Sequence, residues 1–236
     1  MKHIVQQFQC VGNYVSNHLY GDGHINETHI VEMDAPTHKY ILQKINHNVF
    51  KNVHVLMSNY EKVTTFMKSV LSKDQVFIEL IPTIDNKTYH YDGKYYYRMI
   101  TFIDHAIAYQ NIPTKEHMYL AGFAFGDFQS KLAAFDASTL KETIPYFHHT
   151  PKRFDQLENA ILKASKERLE KTQVLIERAL AFKSYASVIV DALEQGRIPT
   201  RVTHNATKIN NVLFDEGKLE VKCVVVLDRI MQESLL

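Results

Sequence analysis

The chain has 236 residues, 45% hydrophobic and 22% charged, a globular balance that excludes a disordered or fibrous protein. Its 27 Lys and Arg residues nearly balance its 26 Asp and Glu residues. We expect no nucleic-acid partner, because phosphate binding normally needs a basic excess. Two distant cysteines exclude a disulfide scaffold and a Cys-based zinc site and fit a reducing cytosol. No secretory segment or apolar run of the roughly 20 residues that cross a bilayer is present, so we expect a cytoplasmic protein without a membrane partner.

The first hundred residues predict strands around one long helix. Short β-type runs occupy residues 11–20, 28–33 and 40–45, and two more occupy 77–81 and 95–103. Between these groups, apolar residues recur at spacings of four and three, which predicts one buried face of an amphipathic helix within residues 49–71. The residues of that face are Leu56, Tyr60, Val63, Met67 and Val70.

From residue 104 the pattern is mainly helical. A helix is predicted over 115–135, with inward-facing candidates Met118, Gly122, Phe125 and Leu132. A second helix opens at Pro151 with Thr150 as its N-cap, and a third spans 168–193 and stops before Gly196. Residues 212–227 predict a hairpin around the turn 215–218. We therefore predict an α+β fold with a β-rich domain over 1–103 and a mainly helical domain over 104–236.

Candidate phosphate-binding residues lie in the first domain. The turn Gly21-Asp22-Gly23 follows a predicted strand, and its glycines would let backbone N–H groups approach an anion. On the predicted strand 40–45, Lys44 is a candidate to pair with Glu61, the acid of the long helix, as Lys–Glu pairs do in kinases. The alternatives are that the glycine turn is an ordinary structural hairpin and that Lys44 and Glu61 are both solvated. Gln43 is also an alternative to Lys44 as the inward-facing residue of that strand.

The segment 201–214 reads Arg-Val-Thr-His-Asn-Ala-Thr-Lys-Ile-Asn-Asn-Val-Leu-Phe. It resembles the catalytic loop of the aminoglycoside phosphotransferase-like kinases, where His-x-Asp is followed five positions later by Asn and an apolar strand. The resemblance is closest to the N-acetylhexosamine 1-kinases and covers nearly the whole chain in order. Supporting stretches are 23–28, 40–46, 97–99 and 143–154.

This resemblance implies a protein-kinase-like fold with a β-rich N-lobe and an incomplete, mainly helical C-lobe. It implies ATP and Mg²⁺ as cofactors, with both weakly bound or lost here. The implied nucleotide-binding residues are Gly21, Gly23, Lys44, Glu61, Phe102 and Asp104. His24 and Asn26 are the implied substrate residues, and Asn211 and Asp228 are the implied metal ligands.

Two departures from the family pattern fall on acidic positions. The catalytic aspartate that takes the proton of the sugar hydroxyl corresponds to Ala206, and a methyl group accepts no proton. The aspartate that binds Mg²⁺ corresponds to Val226, which offers no oxygen ligand. On a continuous strand Asp228 would share the face of Val226 and could reach a displaced ion, although the family carries an acid there as well.

A third departure is the end at Leu236, where the family continues with more of its helical lobe. We therefore expect exposed apolar surface that binds a protein partner or a second copy, most simply as a homodimer. The sequence favours a catalytically inactive sugar-kinase-like protein that acts through protein or nucleotide binding, and we expect enzyme activity to be lost. The alternatives are an active ATP-dependent N-acetylhexosamine 1-kinase and a fragment or repurposed scaffold.

Overall fold

A computed structural model of the chain describes residues 1–21, 23, 25–35 and 39–233. These residues belong to two compact units. The first unit comprises Met1–Ile144 and Val202–Met231, and the second comprises Pro145–Arg201 together with the chain from Gln232 onward. None of the helices in the described part of the chain is long and apolar enough to cross a membrane.

The helices and strands follow one another as the α+β prediction requires. Up to residue 131 they are α1 (Lys2–Val5), β1 (Tyr14–Leu19), β2 (Glu27–Met33), β3 (Lys39–Ile45), α2 (Val53–Val70), β4 (Leu80–Ile81), β5 (His90–Tyr91), β6 (Tyr96–Thr101), β7 (Ala106–Ala108) and α3 (Lys115–Lys131). The remainder are α4 (Thr150–Lys163), α5 (Lys166–Ala181), α6 (Val188–Glu194), β8 (Arg201–Thr203), β9 (Val212–Asp215), β10 (Val221–Val224) and β11 (Met231–Glu233).

An antiparallel sheet in the order β1-β2-β3-β6-β4, with β5 also paired to β6, forms the first part of unit one. Because strand side chains alternate between faces, Tyr40 and Leu42 of β3 pack beside α1, while Ile41 and Ile45 lie on the other face. The residues of α2 that pack on this second face include Leu56, Met57, Tyr60 and Val63.

Helix α2 forms where the apolar spacing predicts it. The Asn52 side chain accepts a hydrogen bond from the Val55 amide and so caps the N-terminus. The predicted inward residues Leu56, Tyr60, Val63 and Met67 are buried, but Val70 is half exposed at the last turn.

The hairpin of β9 and β10 lies in the same unit, and β7 pairs with the outer side of β9. Its buried side chains share one core with Ala121, Ala124 and Phe128 of α3. The predicted hairpin is therefore confirmed, and α3 supports it.

The second unit is built from α4, α5 and α6. No residue of α4 or α5 is buried, whereas Ala192 of α6 is. Large apolar side chains such as Leu162, Leu175 and Phe182 are more than half exposed. This unit therefore carries much uncovered apolar surface.

Four local predictions are wrong. Met118 and Gly122 face outward, because Ala121, Ala124 and Phe128 form the buried face of α3. The predicted helix 168–193 breaks after Ala181 into a 3₁₀ turn before α6. Of the predicted strand 77–81, only Leu80 and Ile81 pair with β6. Thr150 is the first residue of α4, and the His149 ring accepts the capping bond from the Lys152 amide.

Candidate functional site

An ion pair is buried where the sheet of unit one meets the segment after β10. Arg98 of β6 and Asp228 are 1% and 4% exposed, and Arg98 Nη1 lies 2.6 Å from Asp228 Oδ1. Asn26 Nδ2 donates to Asp228 Oδ2 at 3.2 Å. Burial acts to lower the pKa of Arg98, but the negative charge of Asp228 outweighs it, so the pKa stays above its usual value and the guanidinium is charged.

Arg98 is held on its other side by Gln43 and Tyr60. The Gln43 Oε1 atom accepts from Arg98 Nε at 2.8 Å and from Nη2 at 2.6 Å. The guanidinium carbon lies 4.4 Å from the centroid of the Tyr60 ring, a cation–π contact. Gln43 is thus the inward residue of β3, the alternative that the sequence left open.

The predicted Lys44–Glu61 pair is wrong. Lys44 is one residue from Gln43, so it points to the opposite face of the sheet, where its ammonium pairs with Glu27 and lies 5.0 Å from the Tyr95 ring centroid. Glu61 lies on the exposed side of α2, away from the buried face that contains Tyr60. The charged cluster of this site is therefore formed by Arg98 and Asp228.

The glycine turn between β1 and β2 is described only in part. Gly21 is exposed with a φ of 74°, a left-handed conformation that favours glycine, and Gly23 is also exposed. His24, a predicted substrate residue, lies outside the described residues. Asn26, the other predicted substrate residue, is buried; it accepts a hydrogen bond from the Asn46 amide at 3.0 Å and donates to Asp228.

The predicted adenine hinge connects β6 to β7. Phe102 is half-buried, with its ring 5.9 Å from that of Tyr20 in an edge contact. Asp104 is exposed, and its carbonyl oxygen accepts a hydrogen bond from Lys222 Nζ at 3.1 Å. These residues stay predictions for nucleotide binding, because nothing in their contacts identifies a ligand.

The loop between β8 and β9 is fixed by buried polar contacts. His204 Nε2 donates to the Val225 carbonyl oxygen at 2.8 Å, and burial lowers the pKa of His204 to about 4, so the ring is neutral at pH 7. Asn211 Nδ2 donates to the Ala206 carbonyl oxygen at 2.6 Å. Ala206 is itself buried. The loop is ordered, with a methyl group at the position where the resemblance expects an acid.

Val226 has an unusual backbone conformation. Its φ is 63° and its ψ is 61°, the left-handed region, which is a genuine outlier for a β-branched residue. Its side chain is 41% exposed, so little burial compensates for the strain. The residues that follow, Leu227–Arg229, form a 3₁₀ turn, and the continuous strand that would place Asp228 beside Val226 is therefore a wrong prediction.

These residues do not fit a Mg²⁺ ion. Mg²⁺ binds oxygen ligands, Val226 has none in its side chain, and both carboxylate oxygens of Asp228 are engaged by Arg98 and Asn26. Among the residues that the structure describes, no group of three or more His, Cys, Asp or Glu side chains is arranged to hold a metal. Asn211 therefore stays a predicted ligand, and the Asp228 carboxylate is held by Arg98 and Asn26.

A family model described as the APH phosphotransferase enzyme family matches residues 22–228, from the glycine turn to the buried aspartate. The chain belongs to the phosphotransferase enzyme family. Its α+β fold, with a β-sheet region followed by a mainly helical part, is the protein-kinase-like fold predicted from the sequence.

Solved structures of family phosphotransferases share this fold. An aminoglycoside phosphotransferase from Alicyclobacillus acidocaldarius aligns with 98% of this chain and 67% of its own length, at 13% identity and a TM-score of 0.64. A microcompartment-associated aminopropanol kinase aligns with 99% of this chain and 70% of its own length, at 14% identity and a TM-score of 0.63. A spectinomycin phosphotransferase in complex with ADP and spectinomycin aligns with 94% of this chain and 66% of its own length, at 14% identity and a TM-score of 0.54. The chain spans about two thirds of the length of these proteins.

The strain at Val226 predicts a stabilising substitution in this family member. Holding a non-glycine residue in the left-handed region lowers the free energy of unfolding by about 1–3 kcal/mol. Glycine relieves this strain, but its greater conformational entropy in the unfolded chain offsets about 0.5–1 kcal/mol of the gain. Val226→Gly should therefore raise the free energy of unfolding by about 0.5–2 kcal/mol in urea titrations. Val225→Gly is the matched control and should lower it, because Val225 does not have a positive φ. A loss of stability in Val226→Gly equal to that of the control would contradict the strained conformation.

Proposed function

We propose that this phosphotransferase-family chain does not transfer phosphate and acts by binding a nucleotide or another protein chain. One observation carries the proposal: the two positions where the family resemblance expects acids hold Ala206 and Val226, within an otherwise ordered site. The family assignment gives the chemistry to be tested, which is phosphate transfer, and the side chains at these two positions support its loss.

The proton-accepting role has no substitute at residue 206. The methyl side chain of Ala206 is buried, and its neighbour Asn205 is occupied with the Thr203 hydroxyl and the Arg229 carbonyl oxygen. General acid–base catalysis contributes about 10²–10⁴-fold to a rate. Its loss alone would leave this chain far slower than an ordinary kinase.

The acid that would bind the metal is also missing, because Val226 occupies its position. Asp228 is the carboxylate nearest to Val226 in sequence, and moving it to bind a metal would leave Arg98 buried without a counter-charge. Breaking a buried pair in this way is strongly unfavourable. We therefore derive no phosphoryl-transfer step through a metal at this site.

Nucleotide binding is proposed to persist weakly through the glycine turn and the hinge. Gly21 keeps a positive φ in an exposed turn, and the chain from Phe102 to Asp104 connects the two parts of unit one. The Lys44 ammonium is paired on the opposite face of the sheet from Gln43, so it does not support phosphate binding at the site. A triphosphate would consequently gain little charge stabilisation.

Calorimetry with ATP tests this nucleotide proposal. We expect weak binding whose affinity differs by less than about twofold between Mg²⁺ and EDTA, well below the tenfold that 1.4 kcal/mol represents. Gly21→Val should weaken binding because valine disfavours the left-handed conformation, whereas Gly93→Val, at an exposed hairpin glycine with φ of 96°, is the matched control and should not. Tenfold tighter binding with Mg²⁺ would contradict the proposal and favour a metal at Asp228.

The active N-acetylhexosamine 1-kinase is the second candidate function. It is favoured by the loop 201–214, whose His204 and Asn211 match the catalytic-loop pattern. The same loop opposes it at Ala206. Formation of sugar 1-phosphate distinguishes the two candidates.

A further inference from the structure

The main sheet of unit one has one edge that the chain itself closes and one edge that it leaves open. Beyond β4, the Gln9 amide donates to the Pro82 carbonyl oxygen and the Ile84 amide donates to the Gln7 carbonyl oxygen, both at 2.9 Å. At the opposite edge, β1 pairs with β2 and with no other strand of the described chain. The outer side of β1 therefore lacks the backbone partner that the β4 edge has.

The hydrogen bonds to β2 show which groups of β1 are open. In an antiparallel pair, alternate residues of a strand exchange hydrogen bonds with the neighbouring strand. The Tyr20 amide donates to the Thr28 carbonyl oxygen at 2.9 Å, so His18, two residues before it, also faces β2. The amide and carbonyl groups of Asn17 and Leu19 therefore point away from β2, and no residue of the described chain bonds them there.

The open edge carries none of the side chains that usually protect an edge strand. Natural edge strands are commonly protected by charged residues or proline, and residues 11–20 contain no Lys, Arg, Asp, Glu or Pro. Val15 and Leu19 are 58% and 71% exposed. The register of β1 shifts between Tyr14 and Ser16, but pairing is regular from Ser16 to Leu19. An uncharged, regular edge with exposed aliphatic side chains is suited to the addition of another strand.

We propose that the open edge of β1 binds an extended segment of another protein, which adds as an antiparallel strand with apolar residues opposite Asn17 and Leu19. This proposal rests on the proposed function, action by binding, and deepens it by naming the surface and the kind of partner. In such complexes the main-chain hydrogen bonds give affinity, and alternate side chains of the added strand give specificity.

A negative charge beside the edge favours a basic residue in the added strand. The Ser16 hydroxyl donates to the Glu32 carboxylate at 2.6 Å, and the two residues are directly opposite each other on β1 and β2. A residue opposite Ser16 on an added strand shares this face, so a lysine there would lie close to the carboxylate. A second copy of β1 could not supply that lysine, because β1 contains neither Lys nor Arg.

A labelled peptide with blocked ends, Thr-Val-Thr-Val-Lys-Val-Thr, tests the proposal by fluorescence anisotropy with the full chain. We expect saturable binding in the micromolar range. Residues opposite Leu19 and Asn17 direct both their side chains to the face of Leu19 and their N–H groups to β1, so these are the first two valines. Methylating the amide nitrogens of those two valines should weaken binding at least about tenfold, which corresponds to about 1.4 kcal/mol. Methylating the first two threonines instead is the matched control and should change the affinity less than about twofold.

Two variants of Leu19 test the edge from the side of the protein. Leu19→Pro removes an open amide, and proline is tolerated on an edge strand where the N–H would face outward, so binding should weaken at least about tenfold. Leu19→Val keeps the amide and an apolar side chain, and it should bind within about twofold of the unmodified chain. Circular dichroism checks that both variants are folded. Replacing the lysine of the peptide by glutamate should weaken binding at least about twofold, because the charge then opposes Glu32.

Amide hydrogen exchange locates the bound peptide. Binding should slow exchange at Asn17 and Leu19, whose amides gain partners, and it should leave the amides of Gln9 and Ile84 at the closed edge unchanged. Protection at the closed edge without protection of β1 would contradict the assigned surface.

Failure of the peptide to bind, equal binding by the two methylated peptides, or full binding by a folded Leu19→Pro variant would overturn the proposal. If Leu19→Pro does not fold, the two methylated peptides still decide the question with the unmodified chain. A chain that doubles its mass of 27.4 kDa without peptide, and reverts in Leu19→Pro, would show that a second copy occupies the edge and would also overturn it. Because these measurements need no nucleotide or sugar, their failure is distinguishable from failure of the proposed loss of phosphotransfer.

Discussion

Arg98→Met should lower the free energy of unfolding of unit one by about 3–5 kcal/mol, because it leaves the Asp228 carboxylate buried without its partner. Methionine retains much of the side-chain volume beside Tyr60, so the change keeps the packing and removes the charge together with its hydrogen bonds to Gln43. Urea or thermal unfolding followed by circular dichroism measures the loss.

Two variants control this prediction. Lys68→Met breaks the exposed Lys68–Glu79 pair of the same unit and should change stability by no more than about 1 kcal/mol. Adding Asp228→Leu to Arg98→Met removes the orphaned charge and should recover part of the loss. Recovery is incomplete because Gln43 Oε1 and Asn26 Nδ2 lose their hydrogen-bond partners. A loss below 1 kcal/mol in Arg98→Met alone would contradict the buried pair.

Ala206→Asp alone should not restore phosphotransfer. The new carboxylate would supply a proton acceptor, yet Val226 would still provide no oxygen for Mg²⁺, and Asp228 would remain paired with Arg98. We expect turnover at least about 10²-fold below the 1–100 s⁻¹ of ordinary kinases. Sugar 1-phosphate formation with N-acetylglucosamine and ATP measures it, with Ala134→Asp at an exposed 3₁₀ turn as the matched control. Turnover within the kinase range would show that the metal role is filled by another residue.

The regular elements were predictable because their signals are local. The spacing of Leu56, Tyr60, Val63 and Met67 predicts α2, and the turn 215–218 predicts the β9–β10 hairpin. Helix α3 was also predicted, but its buried face was not. Alanines fill that face, so the larger Met118 gave a stronger apolar signal than Ala121 and Ala124 although it faces outward.

The site was less predictable because it depends on strand parity and on long-range pairing. A shift of one residue separates Gln43 from Lys44, and it decides which of them faces Arg98. Arg98 was missed as a site residue, although an arginine between Tyr97 and Met99 in an apolar strand signals a buried partner. Its partner Asp228 lies two residues after Val226, whose backbone is in the left-handed conformation. The run of three valines at 224–226 does not predict that conformation.

The most direct test of the account is a phosphotransfer assay of the unmodified chain with ATP, Mg²⁺ and N-acetylhexosamines, compared with a heat-killed control. The account predicts no sugar 1-phosphate above that control, because Ala206 and Val226 replace both acids that the reaction needs. Sugar 1-phosphate formed at the turnover of an ordinary kinase would contradict it.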